Sequence, residues 1–198
     1  LTDDAYGSFL STALWRCNYR YAIDNVMDPM HGAYLHAKSH SMSTGDKSAQ
    51  MRLSETGQGW MFEKENQSGV NFDWVEFADT GTFWMRLAIP YRKNAGPGGN
   101  FTIIGFVTPV TEQVCQVYFW RVRKVSGWER DTWRFLYKNR LEGLHWDVLE
   151  QDRVVLEAMQ DNARTRESLY QHDAGMTKIR RDLRILAQKQ VNTQTSHA

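Results

Sequence analysis

The feature that most constrains the fold is a series of apolar and polar alternations over residues 50–125, which then gives way to a helical period. The alternating segments are residues 51–53, 60–64, 70–74, 83–89, 101–110 and 114–125. Turn residues separate them at 56–59, 79–81, 94–99 and 109–112. A period of two with short interruptions predicts an antiparallel meander of about six strands. Several strands are apolar on both faces, so we expect a curved sheet that is covered on one side.

Residues 130–160 change to the period of an amphipathic helix. The steps 141, 145, 148, 152, 155, 159 define one apolar stripe. Apolar residues on or beside it are Leu141, Val148, Val155 and Met159, flanked by Trp133, Leu136, Tyr137, Leu144 and Leu156. The helix is therefore expected to pack on the concave sheet. His145 and Asp152 occupy stripe positions, and a buried carboxylate is costly unless it is paired or bound to a cation, so Asp152 needs a partner.

The remaining segments are less constrained. Residues 2–16 are expected to form a short helix or an extended lead-in, and residues 17–23 a short strand or the first turn of a helix. Residues 41–48 and 162–173 are polar connections, and residues 191–198 a polar tail. Residues 174–190 predict a second helix, whose basic residues we interpret as a solvated face: Lys178, Arg180, Arg181 and Arg184.

Composition limits the class of protein. The chain has 198 residues, which we interpret as one domain, residues 1–198, and its formal charge of +1 argues against nucleic acid or an anionic membrane as a partner. It contains no apolar run of transmembrane length and begins with no signal peptide. Cys17 and Cys115 are isolated in sequence, which favours a reducing cytoplasm. Abundant aromatic residues suit either a core or a pocket for a flat apolar ligand.

A histidine-rich segment, residues 24–40, carries the chemistry that composition does not explain. Asp28 and Pro29 predict a helix start, with an acidic N-cap before a proline at the first helical position. His31, His36 and His40 follow, so that three histidines lie within ten residues of sequence. The simplest interpretation is a capped helix with solvated histidines. The alternative is a metal site, because two histidines and one carboxylate form the facial arrangement of iron(II) oxygenases.

Spacing alone leaves the ligand set open. His31 and His36 from this segment and Asp152 from the remote helix could occupy one face of an octahedral ion. His36 and His40 have i,i+4 spacing, and His145 could join either set.

Two motifs in this order resemble one family. Asn25, Asp28, His31 and His36 fit the Asn-x-x-Asp-x-x-His-x-x-x-x-His signature of the α subunits of Rieske-type ring-hydroxylating oxygenases. Residues 149–157 around Asp152 resemble the later segment that supplies the third iron ligand.

The resemblance implies an α+β, helix-grip (START/Bet v 1-like) fold with a curved antiparallel sheet of six to seven strands on a long C-terminal helix. It implies a mononuclear Fe(II) held by His31, His36 and Asp152. Asn25 would lie near the iron, and Asp28 would bridge a metal-bound histidine to the electron donor. His40 and His145 receive no role from it.

The same resemblance implies an oxidoreductase that acts on an aromatic substrate with O2, as a homotrimer, by dihydroxylation, monohydroxylation or oxidative demethylation. Electrons would come from NAD(P)H through a reductase, in some members with a ferredoxin, and then through a Rieske [2Fe–2S] cluster. This chain lacks the Cys-x-His and Cys-x-x-His ligands of that cluster, since Cys17 precedes Asn-Tyr and Cys115 precedes Gln-Val. We therefore expect the cluster on another domain or chain, and favour a longer protein of which this is the catalytic part.

A second class of function remains open: a helix-grip carrier of a hydrophobic or aromatic ligand, without a catalytic metal. Such a carrier would have the same sheet, helix and aromatic interior. It gives no reason for Asp152 on a buried stripe or for the clustering of Asp28, His31 and His36.

Overall fold

A computed structural model describes residues 5–39, 46–65, 74–78, 81–88 and 100–195, with the main chain alone at 82–88 and at Thr195. Seven strands form one antiparallel sheet in the order β1-β7-β6-β5-β4-β3-β2. Their bounds are β1 Tyr6–Trp15, β2 Met51–Glu55, β3 Gly59–Lys64, β4 Trp74–Ala78, β5 Thr82–Ala88, β6 Asn100–Thr111 and β7 Val114–Lys124.

The predicted six-stranded meander is confirmed as β2–β7. Of the two structures expected for residues 2–16, the extended one is correct, because β1 pairs with β7 along its whole length. The last turn lies later than predicted: β6 continues past Pro109, with an irregular register between Pro109 and Thr111. Several predicted features fall outside the described residues: Val70, Phe72, Ile89, Pro90, the loop at 94–99 and most of the loop at 41–48.

The helices are α1 Tyr19–Val26, α2 His31–Leu35, α3 Gly127–Leu136, α4 Glu142–Glu157 and α5 Ala174–Thr195, with a π-helical turn at Tyr137–Leu141 and short 3-10 turns at Ala163–Thr165 and Gln171–Asp173. Residues 17–23 therefore contribute to a helix, which starts where the Asn18 side chain accepts from the Arg20 N–H at 3.0 Å. The predicted helices at 130–160 and 174–190 are both present. None of the described helices combines the length and apolar character needed to cross a bilayer.

The long helical segment α3–π-turn–α4 packs on the sheet through aromatic side chains. Phe9 of β1 stacks on Tyr137 with ring centroids 4.1 Å apart, and Phe101 of β6 lies 5.5 Å from Trp133. Trp133 and Tyr137 are fully buried. This arrangement, a long helical segment packed on an antiparallel sheet, confirms the predicted α+β helix-grip class.

One part of the predicted stripe is wrong. Val155 and Met159 are exposed, by 46% and 37%, while Leu156 is buried. The buried positions are 133, 137, 141, 145, 152 and 156, which are mostly four apart. Repeated steps of four drift around a regular α-helix by about 40° each. The π-turn inserts an extra residue and brings the buried face back into line.

A buried ion network joins α1 to α5, although the basic face of α5 was predicted to be solvated. Arg180 donates to Asp24 through Nε at 3.0 Å and Nη2 at 2.8 Å, and also to Glu167. Arg164 donates to the same Asp24 carboxylate at 2.9 Å. The carboxylate of Asp24 is almost wholly buried, and two guanidinium groups satisfy it. Arg181 and Arg184 are solvated as predicted, whereas Lys178 pairs with Asp182.

The two cysteines, isolated in sequence, are neighbours in space. The register of β1 against β7 pairs Trp15 with Cys115, so Cys17 lies just beyond the end of β1 with its Sγ 3.9 Å from that of Cys115. Both thiols are buried and free. The hydrogen bond to Cys115, together with burial, raises the pKa of Cys17 above its usual range.

Candidate metal centre

Three side chains with metal-ligand chemistry converge between the histidine segment and α4. His31 is the first residue of α2, His36 follows the last residue of that helix, and Asp152 lies five residues before the end of α4. One ligand atom of each lies within 4.8 Å of the others. Among the described residues, this is the set of three or more that could hold a metal ion.

The geometry within the cluster brings lone pairs toward a common point. Nε2 of His36 lies 3.1 Å from Oδ1 of Asp152, and Nε2 of His31 lies 3.5 Å from the same oxygen. His36 is fully buried, and the side chains of His31 and Asp152 are 12% and 7% exposed. As long as the imidazoles are neutral, neither His36 Nε2 nor Asp152 Oδ1 has a hydrogen-bond partner within the described part of the chain. A cation would satisfy both atoms, so the donor set fits a divalent metal.

The other ring nitrogen of each histidine meets an oxygen acceptor. Nδ1 of His31 lies 2.5 Å from the main-chain oxygen of Asp28, and Nδ1 of His36 lies 3.0 Å from Oε1 of Gln151. An oxygen acceptor requires Nδ1 to carry the hydrogen, which leaves the lone pair on Nε2. Metal-binding histidines use this arrangement, because the second hydrogen bond fixes both tautomer and ring orientation.

Gln151 was not identified from the sequence. It precedes Asp152 on α4 and lies off the buried stripe, so helical periodicity gave it no weight. The only available signal was its position next to a proposed ligand.

The electrostatics favour a charged carboxylate. Burial opposes ionisation of Asp152, but the hydrogen bonds and positive charges of His31 and His36 in their protonated forms outweigh it and lower the pKa of Asp152 to about 2. Burial likewise opposes the charged form of His31, yet the hydrogen bond and charge of Asp152 raise the pKa of His31 above its usual range. The cluster thus holds a buried anion that, in the metal-free protein, depends on proton-carrying imidazoles.

Asp28 is a turn residue here, and the predicted helix start is two residues too early. Its Oδ1 accepts from the N–H of Met30 at 2.8 Å, and α2 begins at His31 with Met30 as its cap. The carboxylate therefore stabilises the turn before the helix. Asn25 lies in the last turn of α1, where its carbonyl accepts from the N–H of Asp28 at 3.2 Å. The expected roles of Asn25 beside iron and of Asp28 as a bridge stay predictions.

The other candidate histidines separate from the cluster. His145 is buried on α4, as the stripe predicted, with its ring centroid 5.2 Å from that of Phe101 and 5.5 Å from that of Tyr137. It is not part of the three-residue set found among the described residues. His40 lies outside the described residues.

Comparison with solved structures supports the fold. A dicamba monooxygenase bound to dicamba matches 96% of this chain with a TM-score of 0.65 and 17% identity. The terminal oxygenase of carbazole 1,9a-dioxygenase from Nocardioides aromaticivorans matches 89% with a TM-score of 0.61 and 17% identity. A variant oxygenase in complex with the ferredoxin of carbazole 1,9a-dioxygenase matches 88% with a TM-score of 0.63 and 16% identity. The chain spans 61%, 57% and 54% of those chains, respectively.

Sequence comparison assigns the family. Comparison with curated protein sequences gives no match. The model of the vanillate O-demethylase oxygenase C-terminal domain matches residues 15–189, a span that includes His31, His36 and Asp152. The chain belongs to the family of vanillate O-demethylase oxygenase C-terminal domains, which is the Rieske oxygenase class that its motifs resemble.

Proposed function

We propose that this chain is the catalytic domain of a mononuclear iron(II) oxygenase that acts on an aromatic substrate. The observation that carries the proposal is the convergence of two imidazole Nε2 atoms on one buried carboxylate oxygen, with both Nδ1 atoms held by oxygen acceptors. His31, His36 and Asp152 would hold the iron. Three protein ligands on one face leave the remaining positions for exchangeable ligands.

The metal supplies the chemistry with O2 that side chains lack, and the protein positions it and excludes water. Gln151 and the Asp28 carbonyl orient the two imidazoles. The negative charge of Asp152, which the neighbouring histidines stabilise in spite of burial, would offset part of the charge of a divalent ion. The rings of Phe101, Tyr137 and His145 are buried together between the long helical segment and the sheet. They exclude water from this side of α4.

Monooxygenation would consume one O2, two electrons and two protons for each oxygen atom inserted, and release one water. The electrons would derive from NAD(P)H through a reductase and a Rieske [2Fe–2S] cluster held by another domain or chain. A ferredoxin is a further candidate donor, because one similar oxygenase was solved as a ferredoxin complex. Dihydroxylation, monohydroxylation and demethylation all remain within the proposal, as does a homotrimeric assembly in the cytoplasm.

The test uses peroxide, which supplies both oxygen and electrons. The chain, loaded with iron(II), is given vanillate and hydrogen peroxide. Demethylation would convert the methoxy ether and peroxide into a phenol, formaldehyde and water, so formaldehyde is measured. We expect iron-dependent formaldehyde from the wild type and none from Asp152→Ala. A protein that takes up no iron and purifies with a bound hydrophobic molecule would instead be the carrier.

A further inference from the structure

A pair of thiols lies outside the metal centre and has no part in the proposed oxygenase reaction. Sγ of Cys17 lies 3.9 Å from Sγ of Cys115, although the two residues are 98 positions apart in sequence. Both thiols are free and buried, with exposures of 5% and 0%. Thiolates are ligands for soft metal ions, so two thiols at this distance are a candidate binding site.

The distance between the two sulfur atoms fits a bridging ion better than a disulfide. A disulfide places its sulfurs about 2.05 Å apart, so the observed separation would have to shrink by nearly half. A metal ion bound by thiolates lies about 2.3 Å from each sulfur. Two such bonds span the observed 3.9 Å at an S–metal–S angle of roughly 115°, without movement of either sulfur.

The contacts on each side of Cys17 hold it at this separation. The N–H of Arg16 donates to Oε1 of Glu157 at 2.8 Å, and the side chain of Asn18 donates to the carbonyl of Glu112 at 2.8 Å. The other thiol belongs to β7, which pairs with β1 along the whole length of that strand. Both sulfurs are thus carried by restrained main chain, which preorganises them for an ion that spans the gap.

A cavity gives an ion a route to the pair. It has a volume of about 410 Å³, and Cys17 is one of the residues that line it. The fully buried Cys115 is therefore reached from the side of Cys17. Both cysteines belong to the apolar core, and a hard cation such as Mg²⁺ gives up its water reluctantly. The surroundings favour a soft cation.

The number of protein ligands limits the choice further. Zn(II) in structural sites almost always has four ligands. Among the described residues, the set of three or more histidine, cysteine or carboxylate ligands is His31, His36 and Asp152, and neither cysteine belongs to it. The thiol pair thus offers two ligands of this kind, and Cu(I) is a soft ion that two thiolates bind stably.

We propose that Cys17 and Cys115 bind a soft monovalent cation, of which Cu(I) is the biological example, between their two sulfur atoms. Each thiol releases its proton to solvent as the ion binds, so the step needs no oxidant or reductant. The ion would connect the segment between β1 and α1 to strand β7. The site does not rest on the proposed function, because His31, His36 and Asp152 take no part in it.

The test titrates the reduced chain with Cu(I) under anaerobic conditions, in competition with a chromogenic chelator of Cu(I). One equivalent of Zn(II) is added first to occupy His31, His36 and Asp152, because imidazole and carboxylate suit this ion. We expect one Cu(I) per chain and an ultraviolet charge-transfer band from thiolate to copper. Thiols are counted before and after the titration, so that oxidation to a disulfide is not taken for binding.

Loss of either thiol should remove the tight binding. Cys17→Ser and Cys115→Ala should each lower the affinity for Cu(I) by about 100-fold or more, because the second sulfur acts as an intramolecular ligand. Alanine is used at the fully buried position because it leaves no unpaired hydroxyl there. Cu(I) should also raise the melting temperature of the wild type and leave that of both variants unchanged.

Met159→Leu is the matched control, since it removes a different sulfur atom from the lining of the same cavity. This variant should keep the wild-type affinity for Cu(I). Asp152→Ala should keep it as well, because it alters the metal centre alone.

Three results would overturn the proposal. One is a wild type that binds no Cu(I) once Zn(II) is present, and another is wild-type affinity in either thiol variant. The third is a loss in Met159→Leu as large as that in Cys17→Ser, which would assign the ion to the cavity rather than to the thiol pair. Failure of iron binding or turnover would leave these measurements intact and count against the proposed oxygenase alone.

Discussion

At the scale of single residues, the centre depends on which ring nitrogen of each histidine carries the hydrogen. Gln151 and the Asp28 carbonyl hold the two Nδ1 atoms, so both Nε2 atoms face Asp152. The three members of the cluster could be predicted, because Asp152 interrupts an apolar helix stripe and the histidines lie in one motif. Gln151 could not, because an orienting hydrogen bond leaves no periodic trace in the sequence.

Removal of the Gln151 acceptor should weaken metal binding while leaving all three ligands in place. Gln151→Leu is expected to lower the affinity for iron(II) or cobalt(II) by about 10-fold to 100-fold, the usual effect of losing such a partner. Metal titration followed by cobalt absorption measures this. The control is Gln188→Leu, at an exposed position of α5. Equal affinities in the two variants would show that Gln151 does not orient His36.

The stability of the metal-free chain should depend on pH through His31 and Asp152. Because the pKa of Asp152 is lowered, its contribution to the free energy of unfolding is fully present above the ordinary pKa of 3.8. This contribution is lost as the pH falls toward about 2. Because the pKa of His31 is raised, its contribution to the free energy of unfolding is fully present below pH 6.5, the ordinary pKa. This contribution is lost as the pH rises through the pKa of His31 in the folded protein. Urea unfolding should therefore show greater stability at about pH 5.5 than at about pH 8.5.

His31→Gln should shrink that difference, because it removes the proton-linked pair. With metal bound, the chain should instead be more stable to urea at the higher pH, since protons compete with the metal for imidazole. A His31→Gln variant with an unchanged pH dependence would contradict this account of the cluster.

At the scale of elements, the π-turn between α3 and α4 sets which side chains face the sheet. It allows Trp133, Tyr137 and Leu141 to be buried together with His145 and Asp152. The sequence predicted the helix and most of its buried face, but the placement of Val155 and Met159 was wrong. Val155 lies on the outer side of the stripe, next to the buried Leu156, and Met159 lies beyond the end of α4 at Glu157, where the helical period no longer applies.

Deletion of Asn139, an exposed residue of the π-turn, should rotate the buried face of α3 relative to that of α4. Either the aromatic side chains of α3 or the ligand of α4 must then leave the sheet, and losing a buried aromatic alone costs about 3 kcal/mol. We expect a lower melting temperature and weaker metal binding. Asn139→Ala keeps the chain length and should change both only slightly. If the deletion behaves like this substitution, the π-turn does not set the phase.

At the scale of the whole molecule, contacts between distant segments complete the domain. β1 pairs with β7, the two cysteines meet, and Arg180 of α5 reaches Asp24 beside the histidine segment. None of these could be predicted, because each depends on the register of segments about a hundred residues or more apart. The six-stranded meander could be predicted, since its turns are local.

Electron delivery also belongs to this scale, because the proposed Rieske cluster would lie on another domain or chain. Asp28→Asn should preserve the turn, as asparagine caps equally well, and should keep the iron. If Asp28 also bridges to the donor, NADH-driven turnover of the enzyme with its cluster partner should fall by orders of magnitude, while peroxide-driven product formation survives. Parallel assays of the two reactions measure this. Normal NADH-driven turnover would leave Asp28 as a turn residue alone.

The most direct test of the central claim is the metal content of four single variants after loading with iron(II). His31→Ala, His36→Ala and Asp152→Ala each remove one member of the cluster, and His145→Ala removes a buried histidine of the same helix that lies outside it. The account predicts one iron per wild-type chain, most of it lost in each of the first three variants and retained in His145→Ala. Full iron in His31→Ala, or an empty site in His145→Ala alone, would contradict the assignment.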